Sequence, residues 1–225
     1  MSRTEAHYAE ARAAVRYSPL VKLVVSNLGR VFGARRIFGS LSFTVEPGTA
    51  FGVAGTNGSG KTTLVKILAG LLRPSSGTVF FEDGSGARVA PRDASNRLGW
   101  VAPDLSLYAE LTAAENLSFF ATLHGRPAAT EAVAGLLMNV GLDPARVAST
   151  PIRSLSTGQR QRLKLAYATL HEPAVLFLDE PSSNLDEAGR GVVERVVAAQ
   201  KERGIAIVAS NDPRDLALAG ERLTL

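Results

Sequence analysis

Gly55-Thr56-Asn57-Gly58-Ser59-Gly60-Lys61-Thr62 satisfies the pattern G-x-x-x-x-G-K-[ST]. It follows the short apolar run Thr49 to Ala54. It precedes Leu64, Ile67, Leu68 and Leu71 at helical spacing, closed by Pro74. Strand, glycine-rich loop and helix in that order give the pattern its physical meaning. Glycines tolerate backbone angles that turn successive amide N–H groups inward around a phosphate. The N-terminus of the following helix adds partial positive charge. Gly55, Thr56, Asn57, Gly58, Ser59, Gly60, Lys61, Thr62 and Thr63 are therefore expected to bind a nucleotide. Lys61 would reach the β/γ-phosphates, and the Thr62 hydroxyl would bind Mg²⁺.

A second stretch supports the first. Val175-Leu176-Phe177-Leu178-Asp179-Glu180 is four apolar residues followed by two acids. A strand buried on both faces reads this way, and its C-terminal edge is where ligands of open α/β sheets sit. Asp179 is expected to support Mg²⁺, and Glu180 to orient or deprotonate an attacking water. Alone, two acids after a strand could equally be a solvated turn; the glycine-rich loop tips the balance.

Further along the chain, Leu20 to Ser26 and Leu41 to Val45 alternate as half-buried strands do, and Pro47-Gly48 is a turn. Residues 1–18 are polar and read as an N-terminal extension, leaving 19–225 for the folded domain. Thr112-x-x-Glu115 and Ser156-x-x-Gln159 are capping boxes, each opening a helix. A further amphipathic helix spans Thr130 to Val140, so about 105–170 is helix-rich. A helix from about Glu187 to Glu202 and a buried strand from Ile205 to Ala209 follow. Asp212-Pro213 supplies an N-cap and a first-turn proline for a last short helix. Strands alternating with helices predict an α/β fold with a largely parallel sheet.

Composition narrows the classes. The chain has 225 residues, with 25 Lys+Arg against 21 Asp+Glu, a mild excess that predicts no nucleic-acid partner. There are no cysteines, which excludes disulfides, thiolate metal sites and cysteine nucleophiles. No apolar run approaches the ~20 residues of a spanning helix, so membrane association is expected only through a partner. Arg153, Arg160, Arg162 and Lys164 read mostly as a solvated helix face. His7, His124 and His171 read as surface or helix-end residues.

The motifs together resemble a known family. Leu155-Ser156-Thr157-Gly158-Gln159 is similar to the LSGGQ signature of ABC ATPases, with Thr157 in place of the first glycine. Ser183-Asn184-Leu185-Asp186 resembles the family's D-loop. Phe32, in Arg30-Val31-Phe32-Gly33, stands where the family has an aromatic that stacks on adenine. The resemblance spans about residues 20–215. It implies a P-loop NTPase fold with a mainly parallel sheet core, a small antiparallel β lobe and a helical subdomain at about 105–170. It implies ATP and Mg²⁺ as ligands, hydrolysis with Glu180 as the catalytic residue, and a second ATPase subunit. In that pair, Ser156, Thr157, Gly158 and Gln159 would face the ATP of the partner. It further implies an integral membrane transporter subunit, and a cytoplasmic position on the inner face of the membrane. Glu110 to Gly125 resembles the matching stretch of haem-exporter ATPases of cytochrome c biogenesis, and the early stop after Asn211 suits that type.

Two positions depart from the family. Pro103 stands in the place of a glutamine, and Asn211 in the place of a histidine. Proline has no side-chain amide to offer a metal or water. The Asn211 amide can still donate a hydrogen bond to a γ-phosphate but carries no charge. These departures leave one other reading, a slow regulatory subunit; a soluble ABC protein acting in cofactor assembly or on nucleic acid is a separate alternative.

Overall fold

The computed structural model describes residues 20–225, so the expected extension at 1–18, with His7, lies outside the described residues. Strands β1 (Leu20–Phe32), β2 (Arg35–Val45), β4 (Ser76–Asp83) and β5 (Arg88–Val89) form an antiparallel sheet in the order β2-β1-β4-β5. Strands β3 (Ala50–Ala54), β6 (Leu98–Val101), β7 (Val175–Asp179), β8 (Ile205–Ser210) and β9 (Glu221–Thr224) form a parallel sheet in the order β6-β7-β8-β3-β9. The helices are α1 (Lys61–Leu68), α2 (Ala113–Leu123), α3 (Thr130–Asn139), α4 (Pro144–Val147), α5 (Thr157–Thr169), α6 (Glu187–Lys201) and α7 (Pro213–Leu216).

The central strands β3, β7 and β8 of the parallel sheet are buried on both faces, and the sheet divides its side chains between two cores. Val175 and Phe177 of β7, with Ile205, Ile207 and Ala209 of β8, pack with α1 and the antiparallel sheet. Leu176 and Leu178, with Ala206 and Val208, pack with α5, α6 and the helical segments before them. This is the period of two of a strand applied to a continuous apolar run. It explains why such runs carry no polar alternation.

The helix-rich segment is built on the two capping boxes. Thr112 accepts from the Glu115 amide while Glu115 returns a bond to the Thr112 amide, and Ser156 and Gln159 do the same. Asn116 is fully buried and ties the preceding loop together. Its Oδ1 accepts from the Tyr108 amide, and its Nδ2 donates to Tyr108 O and Thr112 O.

Several expectations need correction. Helix α1 ends at Leu68, and Leu71 lies beyond it, 63 % exposed, because Gly70 at a φ of 77° leaves the helical path first. His171 is buried rather than superficial, stacked on His124 with ring centres 4.0 Å apart. Its Nε2 lies 3.1 Å from Leu98 O, and burial pushes its pKa down to about 4. Arg160, Arg162 and Lys164 are half-buried and tie helix α5 to its surroundings. Arg162 donates to Gly141 O, Arg160 to Leu155 O, and Lys164 to Ala102 O and Pro103 O. Burial holds the Lys164 ammonium below its ordinary range.

Candidate functional site

Four parallel strands deliver their C-terminal ends to one edge. Ala54 of β3 is level with Ser210 of β8, Asp179 of β7 with Ala209, and Val101 of β6 with Leu178. The loop 55–60, the acid pair 179–180, the pair 210–211 and Pro103 therefore emerge side by side. Such an edge is where open α/β sheets bind ligands.

The loop leaves β3 and closes on α1 at Gly60, whose φ of 110° suits glycine. A Cβ at Gly60 would also come within 2.5 Å of an Ile37 methyl. Gly58 takes a φ of 78°. The first turn of α1 holds no acidic residue of its own, so the positive end of the helix is turned to the loop. Lys61 is 6 % exposed. Its Nζ donates to Gly55 O at 2.9 Å and Thr56 O at 3.3 Å, and lies 3.4 Å from Glu180 Oε1. A cleft of about 330 Å³ opens over this loop, lined among others by Arg35, Asn57, Lys61, Thr62, Thr63 and Glu180.

Thr62 and Asp179, distant in sequence, meet here: Thr62 Oγ1 donates to Asp179 Oδ2 at 2.6 Å. Asp179 is fully buried, and its Oδ1 has no hydrogen-bond partner. Burial, first of all, holds its carboxyl above the usual carboxylate range, and the Thr62 hydrogen bond opposes this. A buried carboxylate with a spare oxygen beside a hydroxyl is a hard-oxygen pair of the kind Mg²⁺ takes. The other places around that ion normally go to water and substrate phosphate, so two protein oxygens suffice.

Glu180 sits in the left-handed region with a φ of 50°, held by its amide on Ala209 O at 2.8 Å. Its Oε2 lies 3.1 Å from Ser210 Oγ. Ser210 is fully buried, with its hydroxyl oxygen also 2.8 Å from Asp215 Oδ2, while Ser182 hydrogen-bonds Asp215 Oδ1. This serine–aspartate group behind Glu180 gave no sequence signal, since neither serine nor Asp215 belongs to a recognised pattern. Asn211 is exposed at the mouth of the loop, where its Nδ2 donates to Asn57 Oδ1 at 2.9 Å.

Not every expected residue lines this cleft. Phe32, 46 % exposed at the end of β1, stands outside it, directly across the hairpin from Arg35, which does line it. Ser156, Thr157, Gly158 and Gln159 are also absent from its walls. Thr157 instead lines a separate cleft of about 370 Å³ with Pro103, Arg160, Lys164, Glu180 and Asn184. Arg35 was missed because a lone arginine in a strand has no pattern.

A parallel sheet whose strand runs through this glycine loop into a helix, with an acid pair at a neighbouring strand end, defines a P-loop NTPase. The sequence pattern of the ABC transporter family matches residues 38–183. The glucose import ATP-binding protein GlcV of Saccharolobus solfataricus is 34 % identical over 217 residues, covering 91 % of this chain and 60 % of that protein. The cytochrome c biogenesis ATP-binding export protein CcmA of Pseudomonas aeruginosa is 36 % identical over 192 residues, covering 85 % of this chain and 93 % of that one. A solved ATP-binding subunit of an ABC transporter superposes with a TM-score of 0.76 at 25 % identity, over 90 % of this chain and 85 % of that one. The chain belongs to the ABC transporter family, whose ATP-binding members are ATPases coupled to transport. No helix among the described residues is long and apolar enough to cross a membrane.

Proposed function

We propose that this chain binds Mg-ATP on the loop 55–62, hydrolyses it in a pair of ATPase subunits, and thereby powers transport through a separate membrane subunit. The observation that carries this is the meeting of loop, Lys61, the Thr62–Asp179 pair and Glu180 at one sheet edge. Amides of the loop and of the α1 N-terminus hold the phosphates, and Lys61 adds a full charge. Thr62 and Asp179 would hold Mg²⁺, which supplies charge neutralisation on the phosphates. Glu180 takes a proton from water as the water oxygen bonds to the γ-phosphorus and the bond to the bridging oxygen breaks. Asn211 donates to the γ-phosphate at the loop mouth.

The signature residues Ser156 to Gln159 serve the nucleotide of a second subunit. Their separation from the cleft over the chain's own loop supports this, as does the N-terminal turn of α5, which carries no acidic residue to offset its positive end. The membrane contact falls in the helix-rich part near Pro103 to Phe120, which would hold the chain on the inner face of the membrane. The resemblance at Glu110 to Gly125, and the similarity to an export protein of cytochrome c biogenesis, support the haem-export type of cargo.

Glu180→Gln tests the chemistry, because it keeps the side chain's shape and removes the base. Turnover should fall by about 10²-fold or more, within the range of general-base catalysis. ATP affinity should persist, with an ATP-dependent dimer that outlives the wild-type one in size-exclusion runs. Wild-type turnover in this variant would remove Glu180 from the mechanism.

A further inference from the structure

Phe32 is one of the few large apolar side chains left exposed, yet it is not loose. The guanidinium of Arg30 lies over one face of its ring, with Cζ 4.2 Å from the ring centre. Arg30 and Phe32 are two residues apart on β1, so both project from the same face of the strand. Arg30 is itself anchored, because its Nη1 donates to Arg73 O at 3.0 Å. The segment it reaches is locked to the same strand: the Val31 amide donates to Ser75 Oγ at 3.1 Å, and the Ser75 amide to Gly29 O at 2.8 Å. Among the described residues no carboxylate pairs with Arg30, so no anion competes with the ring for its charge.

The position of the pair is informative. Phe32 pairs with Arg35 across the two-residue turn Gly33-Ala34, and Arg35 lines the cleft that holds Lys61 and Thr62. The ring therefore stands beside the phosphate cleft, with Arg30 over one face and nearly half of the residue exposed, 46 %.

We infer that Arg30 is a positioning residue for the nucleobase: it backs Phe32, and so builds a one-faced stacking platform for a purine before the nucleotide arrives. This rests on the reading of loop 55–62 as the phosphate site. Two physical effects act together. The cation draws ring electron density to the covered face, so an electron-rich purine meets less repulsion on the opposite face. The backed ring also has less rotamer freedom to lose when a base stacks on it.

The test separates base from phosphate. Affinities for Mg-ATP and for inorganic tripolyphosphate are measured by calorimetry in the wild type, Arg30→Gln, Arg30→Met and Phe32→Ala. Arg30→Gln keeps a planar donor and removes the charge; Arg30→Met keeps only bulk. Both should weaken ATP binding by about 3- to 10-fold, the scale of one cation–π contact plus one side-chain ordering step. Tripolyphosphate binding should stay within about twofold, since it has no base to stack. In the Phe32→Ala background, the Arg30 changes should add less than about twofold, because the effect passes through the ring. Equal weakening of both ligands, no change in ATP affinity, or full additivity with Phe32→Ala would overturn the inference. Lys61→Ala keeps the two readings apart. If it weakens both ligands while Arg30→Gln fails the test, only the role of Arg30 falls. If it leaves both ligands bound as in the wild type, the phosphate-site reading falls, and this inference with it.

Discussion

Replacing Asn211 by histidine should raise the rate of ATP hydrolysis. Asn211 lies at the mouth of the phosphate loop, where its Nδ2 donates to Asn57 Oδ1 at 2.9 Å. The side chain is exposed, so a larger imidazole meets no packed neighbour. An N–H of histidine can keep the bond to Asn57 and, when protonated, bring a charge toward the γ-phosphate. A hydrogen bond to a charged group is worth about 1–1.5 kcal/mol more than a neutral one. If that difference acts only in the transition state, turnover rises about 5- to 10-fold. The competing idea is that Ser210 already supplies the missing contact. The structure speaks against it, since the Ser210 hydroxyl is fully buried between Glu180 and Asp215. Pro103→Gln should help by a smaller factor, because the Pro103 carbonyl and that of Ala102 are held by Lys164 whatever the side chain. The assay is steady-state turnover at saturating Mg-ATP. A histidine variant with unchanged or lower turnover would refute the reasoning.

Two further outcomes concern local structure and pH. Thr112→Ala and Ser156→Ala each remove the side chain of a capping box, so each should cost about 1 kcal/mol in urea unfolding. Only Ser156→Ala should also slow turnover; a matching loss in Thr112→Ala would make the signature cap merely structural. His171 has a folded pKa pushed down by burial to about 4, against 6.5 for an ordinary histidine. Between those values the unfolded chain binds a proton that the folded chain refuses, so stability falls as pH drops from 6.5 toward 4. The full window is worth on the order of 3 kcal/mol. Unfolding midpoints measured from pH 7.5 to 4.5 should flatten in His171→Leu, and an unchanged slope would exclude His171 as the source. The carboxylates with lowered pKa, Asp83, Asp104, Glu115 and Asp212, lose their contribution only as the pH falls below the ordinary carboxylate range, outside this window.

Much of this fold is legible in local patterns. The loop 55–62, the two capping boxes and the apolar strands β7 and β8 each carry their signal within a few residues. Strand β9 does not: Glu221-Arg222-Leu223-Thr224 is polar and mostly exposed, and it is a strand because it pairs with β3 at the sheet edge. Such non-local pairing leaves no period to read. The same limit hid the order of the parallel sheet, although Thr62 and Asp179, which meet across it, are each legible as Mg²⁺ ligands from their own motifs. Lys164 reads as solvated because helix-face positions usually are, and His171, at the helix end as the sequence suggests, is buried there. Here the β6 strand and the loop after it cover them. The Ser182–Asp215–Ser210 group stayed unseen for a related reason: its members become a unit only when β8 and α7 fold onto the end of β7.

The central claim is that the loop 55–62 is the ATP site, and Lys61→Ala tests it most directly. Lys61 points back over its own loop, bonded to Gly55 O and Thr56 O and close to Glu180, and its ammonium contributes little to either core. Calorimetric titration with Mg-ATP, alongside a thermal unfolding scan, should show a folded variant whose affinity is at least about 10²-fold weaker, as expected when a charged partner of phosphate is lost. A folded Lys61→Ala variant that binds Mg-ATP as the wild type does would contradict the account.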